Sequence, residues 1–499
     1  MNPTVLLLIA LGGVALLLLL VLKFKFHPFV ALLSVSIIVA LAAGISPKDL
    51  VSTIELGMGS VLGHIAIIIA LGAMVGRIIE LSGGAQSLAT TLIEKFGNRR
   101  TPLALTAAGF LLGIPVFFEV GVIILMPLAY GVAKAAKKPL LIYALPMCAA
   151  MLTVHAFLPP HPGPVAVAGL FGADIGRILL WGLPLTAVVT LACYFLAKQM
   201  TNTVYPMSDD VRAEVYGLDV TDEDILDWTV NPESAHTGSP SGHHISSPGS
   251  EHTGLSAAEE FGSVDVLTAR LPVRPAPSFT MIASLILLPI VLILLGTVAA
   301  GALPEGNIVR SVLLVLGAPL VALLIDALLC GYLLGIRRGW SLTDVSSVMG
   351  SAIPPVATVI LIAGAGGVFG KVLVATKIGD AVASLLQSTG LPILALAFLF
   401  TLLLRAVQGS ATVALVTTAG VIAPLVAAAG YNPNQLALVC LAMGAGALAL
   451  SHINDAGYWI VVKLSGLSVG AGLRTWTALT TIGGLLGFGV TAALWPLAA

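Results

Sequence analysis

The stretch Pro102 to Tyr130, PLALTAAGFLLGIPVFFEVGVIILMPLAY, decides how this chain is organised. It is apolar over 29 residues and has basic residues at both ends, Arg99 and Arg100 before it and Lys134, Lys137 and Lys138 after it. Basic loops beside apolar segments favour the cytoplasmic side of a membrane. A single crossing would therefore leave one basic cluster on the opposite side. Folded back on itself, the stretch has arms of about 21 Å at ~1.5 Å per residue, short of the ~30 Å hydrocarbon core. The spacing predicts a re-entrant hairpin with its tip at Gly113-Ile114-Pro115-Val116-Phe117-Phe118-Glu119.

Composition supports the membrane reading. Of the 499 residues, 58% are hydrophobic and only 9% charged, against roughly 25% charged in soluble domains. Most of this surface needs lipid as its solvent. The net charge of −1 and the lack of a basic tract give no nucleic-acid partner. Cys148, Cys193, Cys330 and Cys440 sit inside apolar runs without CxxC spacing and read as buried small hydrophobes. The apolar run 5–22 is followed, not preceded, by Lys23 and Lys25, which predicts a retained first helix ending in the cytoplasm.

Further apolar runs lie at 28–43 and 61–75, the latter leading into Arg77. The run 140–170 is interrupted at His155-Ala156-Phe157-Leu158-Pro159-Pro160-His161-Pro162-Gly163-Pro164, whose prolines remove donors and clash with the preceding turn. Non-helical backbone at membrane depth is tolerated only where it is buried in protein or lines a cavity. The run 178–197 completes a first membrane half, residues 1–198. Residues 199–277 are rich in Ser, Asp, Glu, Pro, Gly and His and read as a cytoplasmic, largely disordered linker. His236, His243, His244 and His252 belong to that low-complexity composition, and no metal site is expected. The second half, residues 278–499, has runs at 279–300 and 309–334, the basic pair Arg337-Arg338, and a run ending near Lys371. A second hairpin is expected at 391–429. The segment 434–462 is broken at Ser451-His452-Ile453-Asn454-Asp455-Ala456-Gly457, and 479–497 closes the chain.

The halves are related. Met58-Gly59-Ser60 recurs as Met349-Gly350-Ser351, and Gly76-Arg77 as Gly370-Lys371. Pro127, His155, Gly169 and Arg177 match Pro424, His452, Gly466 and Arg474 at one constant offset of 297. Each half holds five crossings and one hairpin, and an odd count makes the second copy enter from the opposite side. The expected fold is thus an all-α polytopic membrane protein of two inverted repeats, each with five transmembrane helices, a re-entrant hairpin and a broken helix. Hairpins meeting from opposite faces beside two broken helices make a midplane binding site.

Polar side chains at that depth mark function unless they only pack helices. In the second hairpin, Arg405-Ala406-Val407-Gln408-Gly409-Ser410-Ala411-Thr412, the groups on Gln408, Ser410 and Thr412 suit a carboxylate or polyol. Helix N-termini at the Gly409 turn favour an anion. His155, His161, His452 and Asn454 at the two breaks complete the substrate-binding candidates. Glu119 and Asp455 are the proton-coupling candidates, since a buried carboxyl is a natural proton carrier. Arg405 is placed to compensate either the substrate's charge or that of Glu119. Asp326 lies outside this constellation, and Arg77 and Lys371 flank segment ends and are expected to snorkel. A channel needs a continuous polar pore, whereas these residues gather at one depth. A membrane hydrolase using His155 and His161 as metal ligands finds no HExxH pattern and no paired acid. A secondary transporter for a small organic anion fits, without a cofactor and without enzymatic activity.

At these same residues the chain resembles the gluconate permease (GntP) family of the ion transporter superfamily. The matching stretches are Gly113–Gly121 (GIPVFFEVG), Val154–Pro164 (VHAFLPPHPGP), Gly366–Lys371 (GGVFGK), Arg405–Ala414 (RAVQGSATVA) and Leu450–Trp459 (LSHINDAGYW). The resemblance covers about residues 1–200 and 275–499. It implies proton-coupled uptake of gluconate or a related sugar acid across a bacterial cytoplasmic (inner) membrane. It also implies a scaffold and a transport domain, commonly in a homodimer. Family members differ in substrate, with hexuronates, other aldonates and D-serine among them, and sodium coupling is the alternative to protons. The connection between halves is longer here than is usual in the family.

Overall fold

The computed structural model describes residues 3–218, 220–230, 271–272, 274–376 and 392–498. Among them the chain is helical, apart from one isolated bridge between Met207 and Leu467. The first half runs α1 (Pro3–Leu18), α2 (Pro28–Ala42), α3 (Pro47–Leu81), α4 (Gly84–Phe96), α5 (Thr101–Leu112), α6 (Phe118–Ala136), α7 (Leu141–Phe157), α8 (Pro162–Phe171) and α9 (Ile175–Met200). Then come α10 (Asp209–Tyr216) and α11 (Asp222–Val230). The second half holds α12 (Phe279–Ala302), α13 (Ile308–Leu316), α14 (Pro319–Cys330), α15 (Leu342–Ser351), α16 (Ile353–Ala375), α17 (Ile393–Gln408), α18 (Ala411–Ala429), α19 (Pro433–Leu448), α20 (Ala456–Leu464) and α21 (Ala478–Leu494). Nine helices among the described residues are long and apolar enough to cross a membrane, so the protein is an all-α polytopic membrane protein.

Both expected hairpin stretches fold as two helices joined by a short turn, and each turn has a local cause. α5 stops at Gly113, Pro115 brings no amide to continue the ladder, and α6 starts at Phe118. α17 stops at Gly409, whose φ of +82° is left-handed, and Ser410 caps α18 by accepting from the Val413 amide. The breaks recur in both halves as well. α7 gives way to α8 across Leu158–His161, and α19 to α20 across 449–455, where Asp455 caps α20 through the Gly457 amide at 3.0 Å. Other helix starts carry their own signals, such as the Ser341–Asp344 and Asn432–Gln435 capping boxes.

The broken helices form the centre. The segment Leu141–Phe171 is almost wholly buried, as expected of a helix apolar all round. Small residues let it meet its counterpart closely: a Cβ on Gly444 would lie 2.8 Å from the Ala156 carbonyl oxygen. α9 and α12 instead expose Val188, Leu191, Phe195, Val291 and Val298 outward. Hydrogen bonds pin the halves together, with Arg177 Nη1 donating to Asn434 Oδ1 at 2.7 Å and Tyr130 Oη to the Leu464 carbonyl at 2.5 Å.

One expectation changes. Arg77 does not snorkel: it pairs with Glu80 and its Nε donates to Ser351 Oγ at 3.2 Å, bridging the halves through the repeated Met-Gly-Ser motif. α4, which follows, interleaves its apolar stripe with Gln86, Thr90 and Thr91. Within the expected linker, α10 and α11 lie in the described residues 201–218 and 220–230. In 201–230, Val215 and Ile225 are buried, and Tyr216 Oη donates to the Lys138 carbonyl at 2.7 Å. The Ser208 amide donates to the Gly466 carbonyl at 2.8 Å. These helices are short and start with acidic residues, and composition averaged over 199–277 conceals their few buried side chains. His236, His243, His244 and His252 lie outside the described residues.

Candidate functional site

The two hairpin tips and the two breaks converge on one cavity of about 270 Å³. Phe118 and Glu119 reach it from the first turn of α6, and His155 from the last turn of α7. Arg405 and Gln408 end α17, Gly409 and Ser410 form the turn, Thr412 opens α18, and Asn454 and Asp455 come from the second break. Every candidate site residue except His161 and His452 lines this cavity. Phe118 and Leu152 supply apolar wall.

The two exceptions hold the backbone. His161 Nε2 bonds the Gly113 carbonyl, and its ring lies 4.5 Å from that of His155. His452 Nε2 lies 2.9 Å from the Ala406 carbonyl oxygen, to which Asn454 Nδ2 also donates at 2.8 Å. That carbonyl loses its helical partner where the chain turns at Gly409, and the second break supplies the replacement. The contact is close: a Cβ on Gly409 would lie 2.0 Å from the Asn454 carbonyl oxygen.

Charge is arranged around one ion pair. Arg405 is only 1% exposed, and its Nη2 pairs with Asp455 Oδ2. Asp455 accepts further from Ser451 Oγ and the Gly457 amide, and Trp476 Nε1 donates to Ser451 Oγ at 2.7 Å. Trp476 also stacks on Phe118 at 5.8 Å, so this support joins the first hairpin tip to the second break. Trp476 lies between Thr475 and Thr477, outside both breaks, and its sequence neighbours do not tie it to the site, whereas Ser451 was part of the break. Glu119 has no side-chain hydrogen-bond partner among the described residues.

Buried polar atoms nearly always find partners. Arg405 Nε and Nη1, both polar atoms of the Gln408 amide, and His155 Nδ1 have none among the described residues. His155 Nε2 makes only a long 3.4 Å contact with Thr412 Oγ1. Three helices, α6, α18 and α20, begin at this cavity, and helix starts carry free N–H groups and about half a positive charge each. Guanidinium, amide, imidazole and helix N-termini together are the donor set for a carboxylate bearing hydroxyls.

The sequence that builds this cavity matches a known family. A family model described as GntP family permease matches residues 4–224 and 260–497. The chain belongs to the GntP permease family. The match reaches into α10 and α11 and breaks over 225–259. The "Inner membrane permease YgbN" of Escherichia coli strain K12 is 47% identical over all of both chains. The "Gluconate permease" of Bacillus subtilis strain 168 is 37% identical over 97% of this chain and 98% of its own. Among solved structures, the Alcanivorax borkumensis YdaH transporter superposes with a TM-score of 0.60, at 15% identity, over 95% of this chain and all of that one. That likeness shows a shared transporter fold. This GntP permease is a transporter and not an enzyme, a multi-pass protein of the bacterial inner membrane.

One acid of the permease stands apart. Asp326 in α14 is fully buried, with Cys330 Sγ 3.8 Å from its Oδ1 and, among the described residues, no partner on Oδ2. It faces an apolar lining that includes Pro115, Pro159 and Pro160 and shares no residue with the hairpin-tip cavity.

Proposed function

We propose that this permease imports gluconate or a related sugar acid together with protons, by alternating access of a site at the hairpin tips. The observation that carries the reading is the set of buried, unpartnered donors on Arg405, Gln408 and His155 around a cavity where three helices begin. Arg405 Nη1 and Nε take the substrate carboxylate. Gln408, Ser410, Thr412 and Asn454 take its hydroxyls. His161 and His452 act through the turns they tether.

Charge balance supports the coupling. With Arg405 and Asp455 offsetting each other, Glu119 leaves the empty cavity one negative charge. A bound carboxylate adds a second unless Glu119 takes a proton. Two like charges across a sphere of this volume, about 8 Å wide, repel by about 2 kcal/mol at an effective dielectric of ~20. That is about a 30-fold change in affinity. Asp455 is less suited to carry the proton, because its oxygens already accept from Arg405, Ser451 and Gly457.

Alternating access rests on inversion of residues 1–198 against 278–499. The segment after α9 touches both Lys138, just before α7, and Gly466, just after α20. The start of one broken helix and the end of the other thus lie at one face, which supports opposite directions for these repeat partners. Uptake of labelled gluconate into proteoliposomes tests the reading. Accumulation should follow an inward proton gradient, and accumulation driven by sodium alone would overturn the proton assignment.

A further inference from the structure

A second and larger cleft, of about 640 Å³, lies between the base of the first hairpin and the end of α9, and transport as described leaves it unused. Three cations reach it from separate elements: Arg99 ahead of α5, Lys138 after α6 and Lys198 near the end of α9. Among the described residues no carboxylate pairs with any of them. Tyr143, 2% exposed, contributes to the lining, with Tyr194 and Trp228 beside it. Trp228 comes from α11, and this wall is held by the Tyr216 bond to the Lys138 carbonyl and by Lys137 Nζ, 5.9 Å from the Trp228 ring centroid.

The three cations are exposed at one cleft, and with no carboxylate beside them among the described residues their charge is open to an anionic ligand. Tyr and Trp are the side chains that settle at headgroup depth, and basic pockets between membrane helices suit phosphate headgroups. On α9 the cleft adjoins Leu191 and Phe195, 50% and 55% exposed, which offer an outward apolar surface for acyl chains. A soluble phosphate would use the cations but not that surface.

We infer that this cleft binds the phosphate of an anionic phospholipid through Arg99, Lys138 and Lys198, with the acyl chains lying along α9. Full-length protein purified in neutral detergent tests it by native mass spectrometry and thermal unfolding with phosphatidylglycerol, phosphatidylcholine or inorganic phosphate. Wild type should retain phosphatidylglycerol in preference to phosphatidylcholine, and its melting temperature should rise with phosphatidylglycerol only. The R99Q/K138Q/K198Q variant should lose most of that rise. The K23Q/K25Q/R337Q variant, which removes equal charge elsewhere, should keep it. Equal loss in both variants would mean general electrostatics and overturn the site. So would equal retention of the two lipids by wild type, a reading that does not depend on how the variants fold. Inorganic phosphate that reproduces the rise and abolishes the lipid effect would overturn the lipid assignment in favour of a soluble anion.

Discussion

Gly409→Ala isolates the contact on which the second hairpin tip depends. Gly409 has φ +82°, and a left-handed conformation costs a residue with a Cβ about 1–2 kcal/mol. The new Cβ would also lie 2.0 Å from the Asn454 carbonyl oxygen, whereas C···O contacts settle at roughly 3.3 Å or more. The turn and the second break must therefore separate by about 1.3 Å, carrying Gln408 and Ser410 with the turn. Where geometry is read strictly, a ~1 Å misplacement costs about 100-fold in rate, and a comparable fall in gluconate uptake is expected. Gly430→Ala is the control, since Gly430 is also left-handed at φ +65° but has open space around its Cβ. It should lose the same backbone term and keep transport. Initial uptake rates in proteoliposomes, normalised to monodisperse protein by size-exclusion chromatography, provide the measurement. Wild-type uptake by Gly409→Ala, or equal loss in Gly430→Ala, would refute the reasoning.

Asp455→Asn leaves Arg405 buried without its anion, and about 3–5 kcal/mol of stability should be lost. Adding Arg405→Gln should recover part of it, read as melting temperatures around the double-mutant cycle. Arg405→Lys keeps the charge but not the planar fork. It should raise the KM for gluconate about 10-fold or more, and an unchanged KM would remove the guanidinium from substrate recognition. Affinity in wild type should strengthen as pH falls and Glu119 takes its proton. Glu119→Gln should flatten that dependence at the tighter limit while abolishing proton-driven accumulation, and counterflow exchange should persist. Continued accumulation by Glu119→Gln would assign the proton elsewhere. Gly76→Ala places a Cβ 1.9 Å from the Pro115 carbonyl oxygen and should destabilise the first hairpin, seen as faster proteolysis near its tip.

The hairpins and breaks were legible because their causes are local. Gly113 with Pro115, the cluster of Pro159, Pro160, Pro162 and Pro164, and Gly409 with Ser410 each stop a helix by covalent geometry alone. The gathering of Glu119, His155, Arg405 and Asp455 was legible through their shared depth and the cost of burying polarity. What His161 and His452 do was not. Each bonds a backbone carbonyl that is left over only once a particular turn has formed, and sequence spacing does not show which carbonyl that will be. The folded part of 201–230 was hidden for a different reason. It buries only a few residues, Val215 and Ile225 among them, against surfaces built by distant helices. Trp476 also needed the packed structure, since only its bond to Ser451 and its stacking on Phe118 reveal it.

A structure of the permease with gluconate bound tests the central claim most directly. The carboxylate should lie within hydrogen-bond distance of Arg405 Nη1 or Nε, close to the start of α18, with hydroxyls on Gln408 and Asn454. Gluconate bound elsewhere, or bound at this cavity with Arg405 still contacting Asp455 alone, would contradict it.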